Sequence, residues 1–187
     1  MRPFVCVVAI FALACRAEPP ATAETSDAGA HPAVAAPVAS LTVSEFGIGK
    51  LRGGMSIAEA SEALVSPVTI PPGADSTGCA TGGWKSKPDG VSLMIEGSRV
   101  VRVDVTSVGI ATTEGARVGD SEARIRKLYG ARVSESPHKY TNGKYLTVTP
   151  LAATDSAFRL IFEIGDGSVT RYRSGKRPQV EYVEGCG

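Results

Sequence analysis

The chain has 187 residues, 21% of them charged and 43% hydrophobic, with a formal net charge of +1 at pH 7. That balance is globular, and the length suits one domain plus a tail. The net charge provides no overall field toward nucleic acid or a membrane surface. The Lys and Arg residues are spread along the chain and no nucleic-acid-binding signature is present, so nucleic acid is excluded as a partner.

The first residues read as an export signal. Arg2 gives a short basic start, and residues 5–13 form an apolar run. At about nine residues this run is too short to cross a bilayer, which needs roughly twenty. It fits the core of a signal peptide occupying residues 1–14. Ala12-Leu13-Ala14-Cys15 resembles a bacterial lipobox, with Leu13 two places before the cysteine instead of the usual three. That resemblance implies a lipid-anchored chain beginning at Cys15, and Arg16 in place of Asp favours the outer membrane or cell surface. Ala21-Thr22-Ala23 is a competing cleavage site that would release a soluble secreted or periplasmic protein. The only membrane contact expected is through the N-terminal lipid anchor of the first reading.

Residues 15–40 are dominated by Ala, Pro, Thr and Glu and hold almost no large apolar side chain. Such a segment cannot bury enough surface to offset its ordering entropy, so it is expected to be a disordered stalk. A single α+β domain is expected over 41–187. Within it only Cys79 and Cys186 remain, and two cysteines in an exported domain are expected to pair. Closing about 108 residues would stabilise the fold by roughly 4–5 kcal/mol at most. No Cys-x-x-Cys pair accompanies them, and His138 is the domain's one histidine, so no metal site and no cofactor are expected.

The domain reads as two repeats, about 45–108 and 109–187. At a shift of about 65 residues, Arg52, Gly54, Ser56 and Ala58 fall on Arg117, Gly119, Ser121 and Ala123. Each set opens a helical pattern. In the first, Ser56 and Glu59 form a capping box and Ile57, Ala60 and Leu64 share a face. In the second, Ile125, Leu128 and Tyr129 share a face and Gly130 follows as the stop. Strands come next. Leu93-Met94-Ile95-Glu96 echoes Leu160-Ile161-Phe162-Glu163, and both lead through a Gly-Ser turn to Val100 and Val169 respectively. Val101, Val103 and Val105 alternate with Arg102 and Asp104; Phe158, Leu160, Phe162 and Ile164 alternate likewise. These are antiparallel strands with one face on a core. Further strands are expected around Leu146 and Val148, over 79–84, and lastly over 179–183. The expected fold class is therefore α+β: two units of a short helix followed by a β-meander, in one continuous or packed sheet.

The Gly54-Met55-Ser56 start, with Glu59 and Ala60 after it, resembles the helix opening of the beta-lactamase inhibitory proteins and of the small lipoprotein of the outer-membrane barrel-assembly machine. The inhibitory proteins are tandem repeats of a helical segment and a four-stranded sheet. The resemblance implies that architecture over about 45–187, but this chain has one cysteine pair where the inhibitors have one per repeat.

No motif specifies catalysis. Gly47-Ile48-Gly49-Lys50 lacks the Ser or Thr of a phosphate loop and the third Gly of a dinucleotide site, and reads as a tight turn. His138 lies in a turn-rich loop. It is the one residue that could serve as a general base, but no nucleophile motif accompanies it. Arg171, Arg173, Lys176 and Arg177 read as a basic cluster at a C-terminal turn, fit for an acidic partner or left as a solvated hairpin end. Trp84 and Tyr140 are candidate binding aromatics, whereas Tyr172 and Tyr182 are expected in the core. Together these residues suggest a non-enzymatic, exported domain that binds a protein or cell-envelope partner. The alternatives are a secreted enzyme inhibitor and, behind it, a hydrolase using His138 with a carboxylate.

Overall fold

The computed structural model describes residues 41–75 and 77–186. The signal segment, Cys15 and the stalk lie outside the described residues. The domain is α+β and built mainly of antiparallel sheet.

Its first elements are three short strands, β1 (Thr42–Ser44), β2 (Gly47–Ile48) and β3 (Leu51–Arg52). The Gly49-Lys50 turn joins β2 to β3. Helix α1 (Ile57–Leu64) follows. The Ser56 hydroxyl accepts the Glu59 amide, and the Glu59 carboxylate accepts the Ser56 amide at 2.8 Å, so the capping box forms. The helix ends at Val65, which is in the left-handed region at φ 51°. Then come β4 (Val68–Thr69), β5 (Cys79–Trp84), β6 (Val91–Glu96), β7 (Arg99–Val105) and the short β8 (Ala111–Thr112). Helix α2 (Glu122–Tyr129) is capped by Ser121, whose hydroxyl accepts the Arg124 amide, and it stops at Gly130. It leads to β9 (Val133–Pro137), β10 (Lys144–Val148), β11 (Phe158–Gly165) and β12 (Ser168–Lys176). Helices of this length are marginal alone, so packing must hold them. Accordingly Ala60, Ile125 and Tyr129 are buried in the core.

The main sheet has eight strands in the order β4-β5-β6-β7-β12-β11-β10-β9. The last strand of each four-strand run meets the other at the centre, where Tyr172 to Gly175 pair antiparallel with Arg102 to Val105. Both inner hairpins turn on two residues with positive φ, Gly97-Ser98 (57° and 58°) and Asp166-Gly167 (49° and 77°). This is the twist that a two-residue hairpin requires. A bulge follows each turn. Ile95 pairs with Val100 and Met94 with Arg102, leaving Val101 unpaired; Ile164 pairs with Val169 and Glu163 with Arg171, leaving Thr170 unpaired. The first bulge corrects the expected alternation, because Val100 joins Val103 and Val105 in the main core cluster and Val101 does not. A second sheet, β3-β2-β1-β8, packs Val43, Ile48 and Leu51 into the same core.

The expected last strand over 179–183 does not form. Gln179–Glu181 is a 3-10 turn, after which the chain crosses the main sheet on the face opposite the helices. The reason lies in where its carbonyls go. Those of Gln179 and Tyr182 accept from Arg102, and that of Val180 accepts from Arg173, so arginine side chains take the place of a backbone ladder. The strap ends in the Cys79–Cys186 disulfide, with Cα atoms 5.3 Å apart.

Candidate functional site

The candidate site is the strapped face of the sheet. Cross-strand register defines it. One row runs Ser136, Tyr145, Glu163, Arg171; the next runs Ser134, Thr147, Ile161, Arg173, Asp104, Ser92. Between these, Leu146, Phe162, Tyr172 and Val103 point to the helices and are apolar, as alternation in a sheet dictates; on the edge strand β9 the place is taken by Glu135, which pairs with Arg126 and Lys144. Polar and charged groups thereby gather on one face, and the strap then buries several of them. Arg102, Glu163 and Arg173 are 6%, 4% and 4% exposed, values that carboxylates and guanidiniums tolerate only when paired.

The pairing is extensive. One oxygen of Glu163 lies 2.9 Å from Arg171 Nε as an ion pair, and the other accepts from Arg173 Nη1. Arg173 Nε donates to the Val180 carbonyl at 2.7 Å. Arg102 Nε donates to Asp104 at 2.9 Å, while its Nη1 donates to the strap. His138 follows β9 and closes the loop to β10, its amide donating to the Gly143 carbonyl. Its ring stacks on Tyr145, centroids 4.6 Å apart at 23°. Its Nδ1 accepts the Tyr140 amide at 3.1 Å, and its Nε2 lies 3.5 Å from Glu163 Oε2. An imidazole accepting at Nδ1 carries its proton on Nε2, toward Glu163. Neither nitrogen is then free to take a proton from a substrate.

Three clefts open on this face. One of about 430 Å³ is lined by His138, Thr141, Asn142, Glu163, Asp166 and Arg171. A second of about 250 Å³ includes Arg102, Asp104, Arg171, Glu184 and Cys186, so Arg171 borders both. The third, about 210 Å³, lies between the sheet and the strap and is lined by Tyr145, Thr147, Ile161, Arg173, Glu181 and Val183, with Ser136 at its side.

The candidate residues divide between this face and other places. His138, Tyr140, Arg171 and Arg173 come together on it. Tyr140 is 58% exposed, and its hydroxyl donates to Glu184 on the strap. Trp84 is instead buried at the far end of the sheet, paired with Val68 and bordering an edge cleft of about 430 Å³ with Ile70, Pro71 and Lys87. The basic cluster is not a turn. Arg171 and Arg173 lie within β12, Arg173 buried and Arg171 half in solvent, because alternation aims both at Glu163 and only the second lies beneath the strap. Lys176 and Arg177 are exposed beyond them, and Arg177 pairs with Glu181 at 2.7 Å. Tyr172 is fully buried, its hydroxyl donating to the Ile110 carbonyl at 3.0 Å. Tyr182, expected in the core, is exposed because the strap carries it over the sheet instead of within it.

A second polar cluster lies on the helix side. Glu45 is buried against Arg132, which also reaches Glu114 at 3.2 Å. Tyr129 Oη lies 2.7 Å from Thr112 Oγ1 and 3.1 Å from Glu114 Oε2. Burial pushes the Tyr129 hydroxyl far above its ordinary pKa. Burial also acts to raise Glu114, but hydrogen bonds from Thr113, its own amide, Tyr129 and Arg132 outweigh it and hold this carboxyl below the usual range. The cluster fastens β1 and β8 to the end of α2 and borders none of the three clefts.

Among the described residues no group of His, Cys, Asp or Glu is placed to hold a metal ion, and no helix is long and apolar enough to cross a membrane. No family model matches the chain, and no curated protein matches it. Among solved structures, the chain is similar to the uncharacterized protein yfeY from Escherichia coli. That crystal structure matches at TM-score 0.44 with 12% identity, covering 72% of this chain and 99% of that one.

Proposed function

We propose that this chain is an exported, lipid-anchored, non-enzymatic domain that binds a protein or cell-envelope partner through the strapped face of its sheet. The observation that carries this reading is the ion cluster of Glu163, Arg171 and Arg173 beneath the strap. Its inner members are buried and paired, and its outer member, Arg171, stands half in solvent between two clefts, one of them bordered by Glu184, which accepts from exposed Tyr140 in the adjoining loop. A paired guanidinium on a sheet with an exposed aromatic on a neighbouring loop is the composition of an interface centre. The finer architecture belongs to the same proposal: a tandem duplication of a helix and a four-strand meander. Matching hydrogen bonds support it. The Gly54 amide donates to Val100 and the Val100 amide to Met55; likewise the Gly119 amide donates to Val169 and the Val169 amide to Asp120. The duplication keeps the resemblance to the beta-lactamase inhibitory proteins in view, and with it the inhibitor alternative. Fold likeness does not carry the activity across.

The hydrolase reading draws on His138 beside Glu163 in a cleft. It is the weaker of the two, because both ring nitrogens are engaged and the Glu163 carboxylate is shared between two arginines.

The test pairs Arg171→Glu with Tyr140→Ala in the full chain and cross-links it in cell envelopes. A partner captured by the parent and lost from the double variant, with melting unchanged, supports the reading. A partner retained by the double variant refutes it. Radiolabelled palmitate on the parent but not on Cys15→Ser tests the anchor, and a mature N-terminus at Glu24 would end that claim.

A further inference from the structure

We propose that His138 is a pH-operated latch: its neutral ring holds the Tyr140 loop against the strap, and a proton taken up at Nδ1 releases it. Within the loop from His138 to Gly143, Nδ1 accepts the Tyr140 amide at 3.1 Å, and that amide has no other acceptor among the described residues. The ring itself is held by the sheet, stacked on Tyr145 at 4.6 Å and with Nε2 3.5 Å from Glu163 Oε2. The side chain is 11% exposed and borders the cleft of about 430 Å³, so solvent protons can reach it. At its tip the loop is joined to the strap, because the Tyr140 hydroxyl donates to Glu184 and the Lys139 ammonium lies 3.4 Å from the same carboxylate. The inference rests on the partner reading in one respect, that Tyr140 belongs to the binding surface; its release on acidification would then weaken that surface.

Imidazole is the side chain whose charge ordinarily changes between about pH 5 and 8. The neutral ring carries its proton on Nε2, which leaves Nδ1 as the place for the second. There the proton turns the acceptor of the Tyr140 amide into a donor. Two N–H groups then face each other, and the amide must find its hydrogen bond in water. Nε2 donates toward Glu163 in both states, so the ring stays on the sheet while the loop leaves it. The groups that face the ring come from several elements. Glu163 of β11 attracts an imidazolium, and Arg171 and Arg173 of β12 repel it. Tyr145 of β10 offers its ring face, and Asp166 borders the same cleft from the turn between β11 and β12. Lys139 and Glu184 carry opposite charges and offset each other.

The experiment follows the Tyr140 amide and the His138 ring nitrogens by NMR in the full chain. No partner is present, so failure of the partner reading would leave the result intact. Between about pH 8 and about pH 5 the Nδ1 resonance should move from that of an acceptor to that of a protonated nitrogen. Over the same interval the protection of the Tyr140 amide, corrected for the intrinsic effect of pH on exchange, should fall about fivefold, the scale of one hydrogen bond between neutral groups. The Leu146 amide in β10 should keep its protection. His138→Asn places an amide oxygen where Nδ1 lies, as in an Asx turn, and takes up no proton in this range; its Tyr140 amide should stay protected throughout. His138→Phe keeps a ring on Tyr145 and removes the acceptor, so its Tyr140 amide should be unprotected throughout. A parent amide as protected at the acid end as at the alkaline end, a ring still neutral at the acid end, or a loss of protection in His138→Asn equal to the parent's would each overturn the proposal.

Discussion

The two faces of the eight-stranded sheet are built from the same strands and solve different problems. Toward the helices, β6, β7, β11 and β12 offer Leu93, Val103, Leu160, Phe162 and Tyr172 to one continuous apolar core. Away from them, the alternate residues of the same strands offer Arg102, Asp104, Glu163 and Arg173 to a strap only a few residues wide. The first face is held by area, which is non-directional and tolerant of exchange. The second is held by directed bonds among charges that are costly once unpaired. A binding platform is better placed on the second, because its geometry is fixed by hydrogen bonds and its outer members remain in water.

Substitutions can break this comparison. The largest loss is expected from Phe162→Ala, which removes a fully buried ring packed on Tyr129 and Tyr172. About 3–5 kcal/mol should be lost, read by chemical denaturation. Glu163→Ala on the other face should follow at about 3 kcal/mol, because it strands the buried Arg173. The faces part in their rescue. Exchanging Glu163 and Arg173 together for Leu and Met should recover most of that loss, whereas no apolar exchange recovers the missing ring. If the double variant is as unstable as Glu163→Ala, the directed-bond account of the strapped face is wrong. Removing the disulfide by Cys79→Ser should cost roughly 2–4 kcal/mol. Its effect on hydrogen exchange should concentrate in residues 179–186, with the central strands β7 and β12 keeping their relative protection.

Much of the helix side could be read from the sequence. Ser56 and Glu59 announce a capping box, Phe158, Leu160, Phe162 and Ile164 fall at every second place, and Cys79 and Cys186 are the domain's only cysteines. The first two are local signals of short range and the third is a matter of counting, and the structure forms each of them. The strapped face was largely hidden. Glu163 is one carboxylate among many until the register places it between Arg171 and Tyr145. The signal that existed was Arg171 and Arg173 two residues apart, hence on one face of a strand, with Glu163 as the only carboxylate in the partner strand. Residues 179–183 alternate as a strand would, and it is Arg102, distant in sequence, together with Arg173 from the preceding strand that diverts their carbonyls. The bulge at Val101 was equally silent, since a bulge is a property of pairing and not of composition.

Alkali should separate the faces by pH. Burial raises the pKa of both Tyr129 and Tyr172 on the helix side above the ordinary value of 10.0. A raised folded-state pKa means that the stabilisation is complete below the unfolded value and is lost as pH climbs beyond it. Stability should therefore hold up to about pH 10 and fall progressively above that. Tyr129→Phe and Tyr172→Phe should each flatten the fall, and Tyr140→Phe, at an exposed site, should not. A fall unchanged by the first two variants would show that these phenols do not govern it.

The smallest expected effect has the opposite sign. Ser174 is fully buried on the apolar face, cross-strand from Leu160 and Val103, and its hydroxyl has no hydrogen-bond partner. In folding it gives up its hydrogen bonds to water and gains none in return, a desolvation cost of about 1–3 kcal/mol. Ser174→Ala removes the cost and only one atom of packing, so stability should rise by up to about 1 kcal/mol, seen as a higher denaturation midpoint with an unchanged slope. Tyr145 is the corresponding orphan on the strapped face. Tyr145→Phe removes the same kind of cost there, and its midpoint should rise by a similar amount. A drop in stability for either variant would reveal a partner for its hydroxyl.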